Sequence, residues 1–338
     1  MRRLELDLCR IAACIMVIFL HVAGSDWYIS PATTEWGIYN FMSLLVRGAV
    51  PVFFMISGTL FLSREQFDIR HFIKKNVCHL IFLYGCWLVL YAFYTQWMEN
   101  TLGDWHMFMK KVAEGYGHLW FMPAMILCYL ALPVIWSAVH GEKLNVKYLL
   151  FLFIILTIFQ ANLFLFSEWL DKISRIVGKF DISYLQYLGY MILGYYLSRR
   201  DYGRKGRWIA VSVYTVSVAV ATGVNYWYSI SHGKAVTWIH GHYIILTVLE
   251  SVAIYCFMLS FAGSLERIQR PLRFFSDQTL GIYLVHAMIL DYLIHNQWKV
   301  SMCTPWLSVP LLTGMVFVIS IVLVCIGRKI PVLRRLLE

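Results

Sequence analysis

The sequence predicts an all-α fold, a polytopic integral membrane bundle of about ten transmembrane helices in a single domain over residues 1–338. Three observations predict it: the composition, the recurrence of apolar runs of bilayer length, and the sidedness of the basic residues. Sixty per cent of the residues are hydrophobic and 14% are charged, against roughly 45–50% apolar and 25% charged in an ordinary soluble domain. A water-facing surface cannot be assembled from that inventory. Apolar runs of about 17–25 residues, the length needed to cross a bilayer, recur along the whole chain and leave no stretch for a separate soluble domain.

Bounded by charge or turn clusters, the spans read Leu6–Gly24, Ile38–Leu62, Val77–Thr95, Leu119–His140, Tyr148–Phe166, Ser183–Leu197, Trp208–Tyr228, Gly241–Ala262, Thr279–His295 and Trp306–Ile326. The sixth and ninth are short and carry polar residues, so each could be re-entrant or pore-facing. No fixed-period repeat, low-complexity tract or Pro/Gly/Ser linker interrupts the series. The longest connections on the side opposite the N-terminus, Gln96–His118 and Ser167–Ile182, read as acceptor-binding elements or as simple connectors.

Ten spans place the N-terminus, the even-numbered connections and the C-terminal tail on one side. Twenty of the 29 Lys and Arg residues fall there, seven fall on the other side, and Arg10 and Arg47 fall inside spans. The positive-inside rule then sets both termini in the cytoplasm. The formal charge of +10 is accounted for as a topology signal, so no nucleic-acid partner is implied. The first apolar run carries Arg10 and His21 and lacks a small-residue cleavage pattern, so it is expected to stay as the first helix. Of eight cysteines only Cys303 falls in an outer loop, which leaves no outer disulfide within the chain.

Ionisable side chains inside membrane spans are costly and by default mark positions facing protein or water. In the first span Asp7, Arg10, Cys14, Val17 and His21 follow heptad spacing and share one helical face. His21 lies fifteen residues from Leu6, roughly 22 Å of rise, beyond the middle of a hydrocarbon core about 30 Å thick. Span two runs the other way, and Arg47 lies the same distance from Leu62, so His21 and Arg47 are expected at one depth. Together they suit acyl transfer: an imidazole can take a proton from a hydroxyl or attack an acyl carbon, and a fixed guanidinium can stabilise an oxyanion. The structural alternative pairs Arg47 with a carboxylate such as Glu250 or Asp26 to hold helices together, with His21 a satisfied core residue.

His118 and Trp120 stand at the start of span four, and His286 stands in span nine with Tyr283 three residues back on the same face. Ser276 is a plausible N-cap there. His232, His240 and His242 precede span eight closely enough to raise a metal site, but no cysteine or carboxylate lies in that loop to complete one. No metal is expected.

At these residues the sequence resembles the acyltransferase-3 family of bacterial membrane acyltransferases, and within it the short single-domain O-acetyltransferases of the enterobacterial common antigen type. The resemblance rests on four motifs in order. LDLCRIAACIMVIFLH carries Arg10 and His21 at the family's spacing. VRGAVPVFFMISGTLFL carries Arg47, Pro51, Phe53, Phe54, Ser57 and Gly58, HLWFMPA carries His118 and Trp120, and SDQTLGIYLVH carries Ser276, Gly281, Tyr283 and His286. The basic segment RHFIKKNVCHL lacks a proline usual in the family.

The resemblance implies an acyl-coenzyme A donor, usually acetyl-CoA, on the cytoplasmic face of a bacterial inner membrane, and a hydroxyl acceptor such as a lipid-linked glycan on the other face. Arg10, His21 and Arg47 are then the catalytic candidates, with Arg10 orienting the donor beside Asp7. Arg70, Lys74, Lys75 and Ser57 are donor contacts, the lysines being equally readable as topology charges. His118, Trp120, Tyr283, His286 and Glu250 are substrate contacts. A rival class is a glycan-intermediate exporter with Arg10, His21, Arg47 and Glu250 along its path, which internal repeats would favour; a ligand-binding sensor without chemistry is a third.

Overall fold

The computed structural model describes residues 2–141, 146–151, 153 and 182–338. Most of the fifth expected span and the connection after it lie outside them. Among the described residues every regular element is helical, because in hydrocarbon each backbone N–H and C=O must find a partner within its own segment. Among the described residues seven helical segments are long and apolar enough to cross a membrane: Leu4–Ala23, Thr34–Leu62, Ile69–Met98, Gly117–His140, Arg204–Ser231, Trp238–Leu259 and Pro305–Gly327. They coincide with spans one to four, seven, eight and ten of the sequence reading.

The helices are labelled α1 (Leu4–Ala23), α2 (Thr34–Leu44), α3 (Ala49–Leu62), α4 (Ile69–Phe72), α5 (Cys78–Met98), α6 (Trp105–Glu114), α7 (Phe121–His140), α8 (Tyr187–Leu197), α9 (Arg204–Ser231), α10 (Ile245–Leu259), α11 (Gln269–His295), α12 (Pro305–Gly327) and α13 (Pro331–Leu337). The sixth expected span is the 11-residue α8. The ninth is longer than expected, the 27-residue α11. Ser276 is therefore not an N-cap. It sits inside α11 and donates its hydroxyl to Asp7 Oδ1 at 2.7 Å, a tertiary bond that lets a polar stretch stay helical.

The second span is broken. Leu45–Gly48 form a turn between α2 and α3, and the backbone groups it frees are met from neighbouring helices: Gly48 N–H donates to Glu250 Oε1 at 2.9 Å, and Leu45 C=O accepts from Tyr214 Oη at 2.7 Å. Irregular backbone at membrane depth is tolerated only where protein or a water-filled cavity receives it. Arg47 belongs to this turn.

Helix α3 is held by close approach to α8. A Cβ on Gly58 would lie 2.0 Å from Met191 O, and one on Gly194 would lie 2.2 Å from Met55 O. Small residues that let backbones touch are the usual adhesive between membrane helices, where lipid removes most of the hydrophobic driving force.

One end of the bundle gathers the basic connections. Arg2 bridges Asp7 and Asp277, each at 2.7 Å, Arg328 donates to Asp277 C=O at 2.7 Å, and Trp87 Nε1–H reaches Leu336 C=O at 2.9 Å. Trp136 Nε1–H donates to Arg64 C=O at 2.8 Å. Next to this end, residues Ile73–Val77 form a π-helical turn leading into α5. The connection after α5 holds the helix α6, whose N-cap Asp104 accepts the Met107 N–H at 2.9 Å.

Candidate active site

Two cavities, each of about 310 Å³, penetrate the bundle. The first has Lys75, Asn76 and His79 at its mouth, where Lys75 is exposed. A π-helical turn commonly marks a functional position, and here it leads into the α5 turn bearing His79. Arg10 lines the same cavity, its guanidinium 3.5 Å from Asp7. Further in, Ser57 and Tyr129 hydroxyls share a hydrogen bond at 3.2 Å among apolar walls from Val50, Phe53, Ile56 and Met125. The inner wall is His21, His118, Trp120 and Tyr283.

The second cavity is lined by His21, Gly24, Trp27, Tyr28, Ser43, Arg47, Thr237, His240 and His242. Tyr28, 88% exposed, marks its mouth. Val17, His21, Val50 and Trp120 line both cavities, so the imidazole on the heptad face of α1 stands where the two approach each other. Among the described residues no protein group hydrogen-bonds the His21 ring.

His21 belongs to a cluster of three imidazoles. Its ring centroid is 5.2 Å from that of His286 and 6.4 Å from that of His118, and the latter two are 5.1 Å apart. His118 is gripped by the ring of Tyr91 at 4.9 Å, and its C=O accepts from Tyr283 Oη at 2.7 Å. His286 is fully buried, with Nδ1 2.6 Å from Tyr283 C=O. A carbonyl can only accept, so Nδ1 carries the proton and Nε2 is a bare lone pair. That Nε2, both nitrogens of His118, and Arg47 Nε are buried without hydrogen-bond partners among the described residues. Buried polar atoms left open in this way are normally met by water or by a substrate.

Arg47 shares the second cavity with His21, the two ionisable residues expected at one depth. Its Nη2 bonds His240 Nδ1. No carboxylate pairs with it among the described residues; Glu250 instead serves the Gly48 backbone. His242 Nδ1 lies 2.5 Å from Tyr187 Oη, and its ring stacks on Trp120. His232, exposed, stacks on Tyr228. Among the described residues no group of three or more His, Cys, Asp or Glu is arranged to hold a metal ion.

Of the residues singled out from sequence, His21, Arg10, Ser57, Lys75, His118, Trp120 and Tyr283 line the first cavity, and His21, Trp120 and Arg47 line the second. Arg70, Lys74, Glu250 and His286 line neither; His286 backs His21, and Glu250 supports the helix break. Sequence reasoning passed over Asn76, His79 and Tyr129. His79 was detectable, four residues after Lys75 and so on its helical face. His240 and His242 were noticed only as metal ligands, and Trp27 gave no signal.

The chain is thus a multi-pass helical membrane protein with a polar centre shared by two cavities. A family model described as an acyltransferase domain matches residues 3–325, and the chain belongs to that acyltransferase-3 family. No curated protein and no solved structure matches it.

Proposed function

We propose that this membrane acyltransferase is an O-acetyltransferase that moves an acetyl group from acetyl-CoA, bound in the first cavity, to a hydroxyl held in the second. The basic end faces the cytoplasm of a bacterial inner membrane, with both termini there, and the second cavity opens to the outer face. The observation that carries this reading is the His21 ring, common to both cavities and free of hydrogen bonds from the described residues.

Lys75, His79 and Arg10 offer positive or donor groups to the coenzyme A phosphates at the mouth, and Ser57 and Tyr129 offer hydrogen bonds to its pantetheine amides. The acceptor hydroxyl enters past Trp27 and Tyr28, aromatic faces suited to a sugar ring of a lipid-linked glycan. The hydroxyl oxygen attacks the thioester carbonyl as His21 takes its proton. The oxygen of the tetrahedral intermediate is stabilised by Arg47. The C–S bond then breaks, and the proton passes from His21 to the departing thiolate. An ester and free coenzyme A result, with no net proton change. Fixing both substrates around one ring converts a bimolecular encounter into a positioned one.

Purified protein in lipid nanodiscs, given radiolabelled acetyl-CoA and a membrane glycolipid fraction, is expected to release coenzyme A thiol and label the glycolipid. An exporter would leave the thioester intact, and that result would overturn the proposal.

A further inference from the structure

We propose that His240 is a positioning residue for Arg47, holding the guanidinium in place while leaving its charge uncancelled. The inference rests on the role given to Arg47 above. A guanidinium has five N–H donors, no acceptor, and stays protonated in proteins. Its contact with His240 Nδ1 therefore has one polarity: Nη2–H donates, Nδ1 accepts, and the imidazole is neutral with its hydrogen on Nε2.

The ring is itself held. His240 is 7% exposed, and the Trp27 ring packs on it with centroids 4.6 Å apart. Its Nε2 lies 3.5 Å from Asn225 Nδ2; both atoms carry hydrogen in this arrangement, so the contact is packing and not a hydrogen bond. Asn225 donates to Asn40 Oδ1 at 2.7 Å, and Asn40 donates to Thr222 C=O at 3.1 Å. Both asparagines are wholly buried. The Trp27 ring and the buried asparagine pair on α2 and α9 thus enclose the His240 ring, which in turn holds the four-torsion Arg47 side chain.

The choice of a neutral acceptor has a consequence. A carboxylate would hold Arg47 more tightly, but it would offset the field that a developing oxyanion needs, and in a water-poor site that field is worth most. The imidazole orients without cancelling. In the same turn Glu250 accepts the Gly48 N–H and, among the described residues, forms no salt bridge with the guanidinium.

The test compares His240→Leu with His240→Asn in the full chain in nanodiscs, with acetyl-CoA as donor, because asparagine can place Oδ1 near the site of Nδ1. His240→Leu is expected to lower kcat on the order of 10²-fold, the usual cost of losing a transition-state donor, with KM for acetyl-CoA within about threefold, since the donor cavity is untouched. His240→Asn is expected to recover most of that loss. A second readout needs no turnover. In protein labelled with ¹⁵N-arginine, the slowly exchanging Arg47 side-chain resonance, identified by its loss in Arg47→Lys, is expected to persist in His240→Asn and vanish in His240→Leu. Persistence of that resonance in His240→Leu, or equal loss of kcat in both variants with equal lowering of the melting temperature, overturns the proposal. If the wild-type protein consumes no acetyl-CoA, the functional reading fails, and the resonance alone decides whether His240 holds Arg47.

Discussion

Two arginines lie inside the first two spans, and the molecule treats them differently. Arg10 faces Asp7, which is also bonded by Arg2 and Ser276, so its charge is shared within a network that runs on through Asp277 to Arg328. Among the described residues Arg47 hydrogen-bonds the His240 imidazole and forms no salt bridge. The first arrangement ties α1 to α11 and to the C-terminal segment at the wetter end of the bundle, where paired charges cost less to bury. The second leaves the guanidinium in the cavity that His21 also lines. The difference is one of partners: Arg10, which lines the first cavity, sits in a carboxylate network, and Arg47 meets an imidazole in the second.

The sharpest way to break that comparison is at its pivot. His21→Ala and His21→Gln are each expected to lower acetyl transfer by 10²–10⁴-fold or more, the cost of losing a positioned base, with an unchanged size-exclusion profile. Near-normal labelling of the acceptor by either variant would remove His21 from the reaction. Next, Arg47→Gln is expected to cost on the order of 10²–10³ in kcat, whereas Asp7→Asn, which frees Arg10, is expected mainly to raise KM for acetyl-CoA and lower the melting temperature. Equal kcat losses in these two variants would erase the distinction between the arginines.

A smaller effect tests the scaffold that places Arg47. Gly58→Ala forces a Cβ against Met191 O of α8, and overpacking of this kind typically costs about 1–3 kcal/mol. A reduced melting temperature with kcat preserved in the folded fraction is expected; an unchanged melting curve would mean that the α3–α8 contact is slack. The smallest effect separates two neighbouring lysines. Lys75→Ala is expected to raise KM for acetyl-CoA severalfold, more at low salt than at high because exposed charge contacts are screened, while Lys74→Ala, outside the cavity, changes it little. Identical titrations for the two variants would mean that neither meets the donor.

Much of the architecture was legible in the chain because the bilayer imposes a length and a polarity on every span. Seven of the ten expected spans reappear as helices of crossing length among the described residues, and His21 and Arg47, expected at one depth, line one cavity. What hydropathy could not register was local. The break at Leu45–Gly48 is invisible in a run as apolar as LLVRGAVPVFF, since its freed backbone groups are met by Glu250 and Tyr214, some 200 and 170 residues away. Ser276 looked like a cap because its bond to Asp7 spans 269 residues.

By itself, then, the sequence determined that this protein is an all-helical membrane bundle, which helix faces carry its polar groups, and that its motifs resemble those of membrane acyltransferases. Periodicity and charge bias act along a single segment, so they can be read before any folding is known. Only the tertiary structure decided that one imidazole lines two cavities, that Glu250 accepts from the Gly48 backbone, and that the Arg47 guanidinium meets His240. Those outcomes depend on which faces of different helices meet, and a linear pattern holds no record of such meetings between residues as distant as Arg47 and His240.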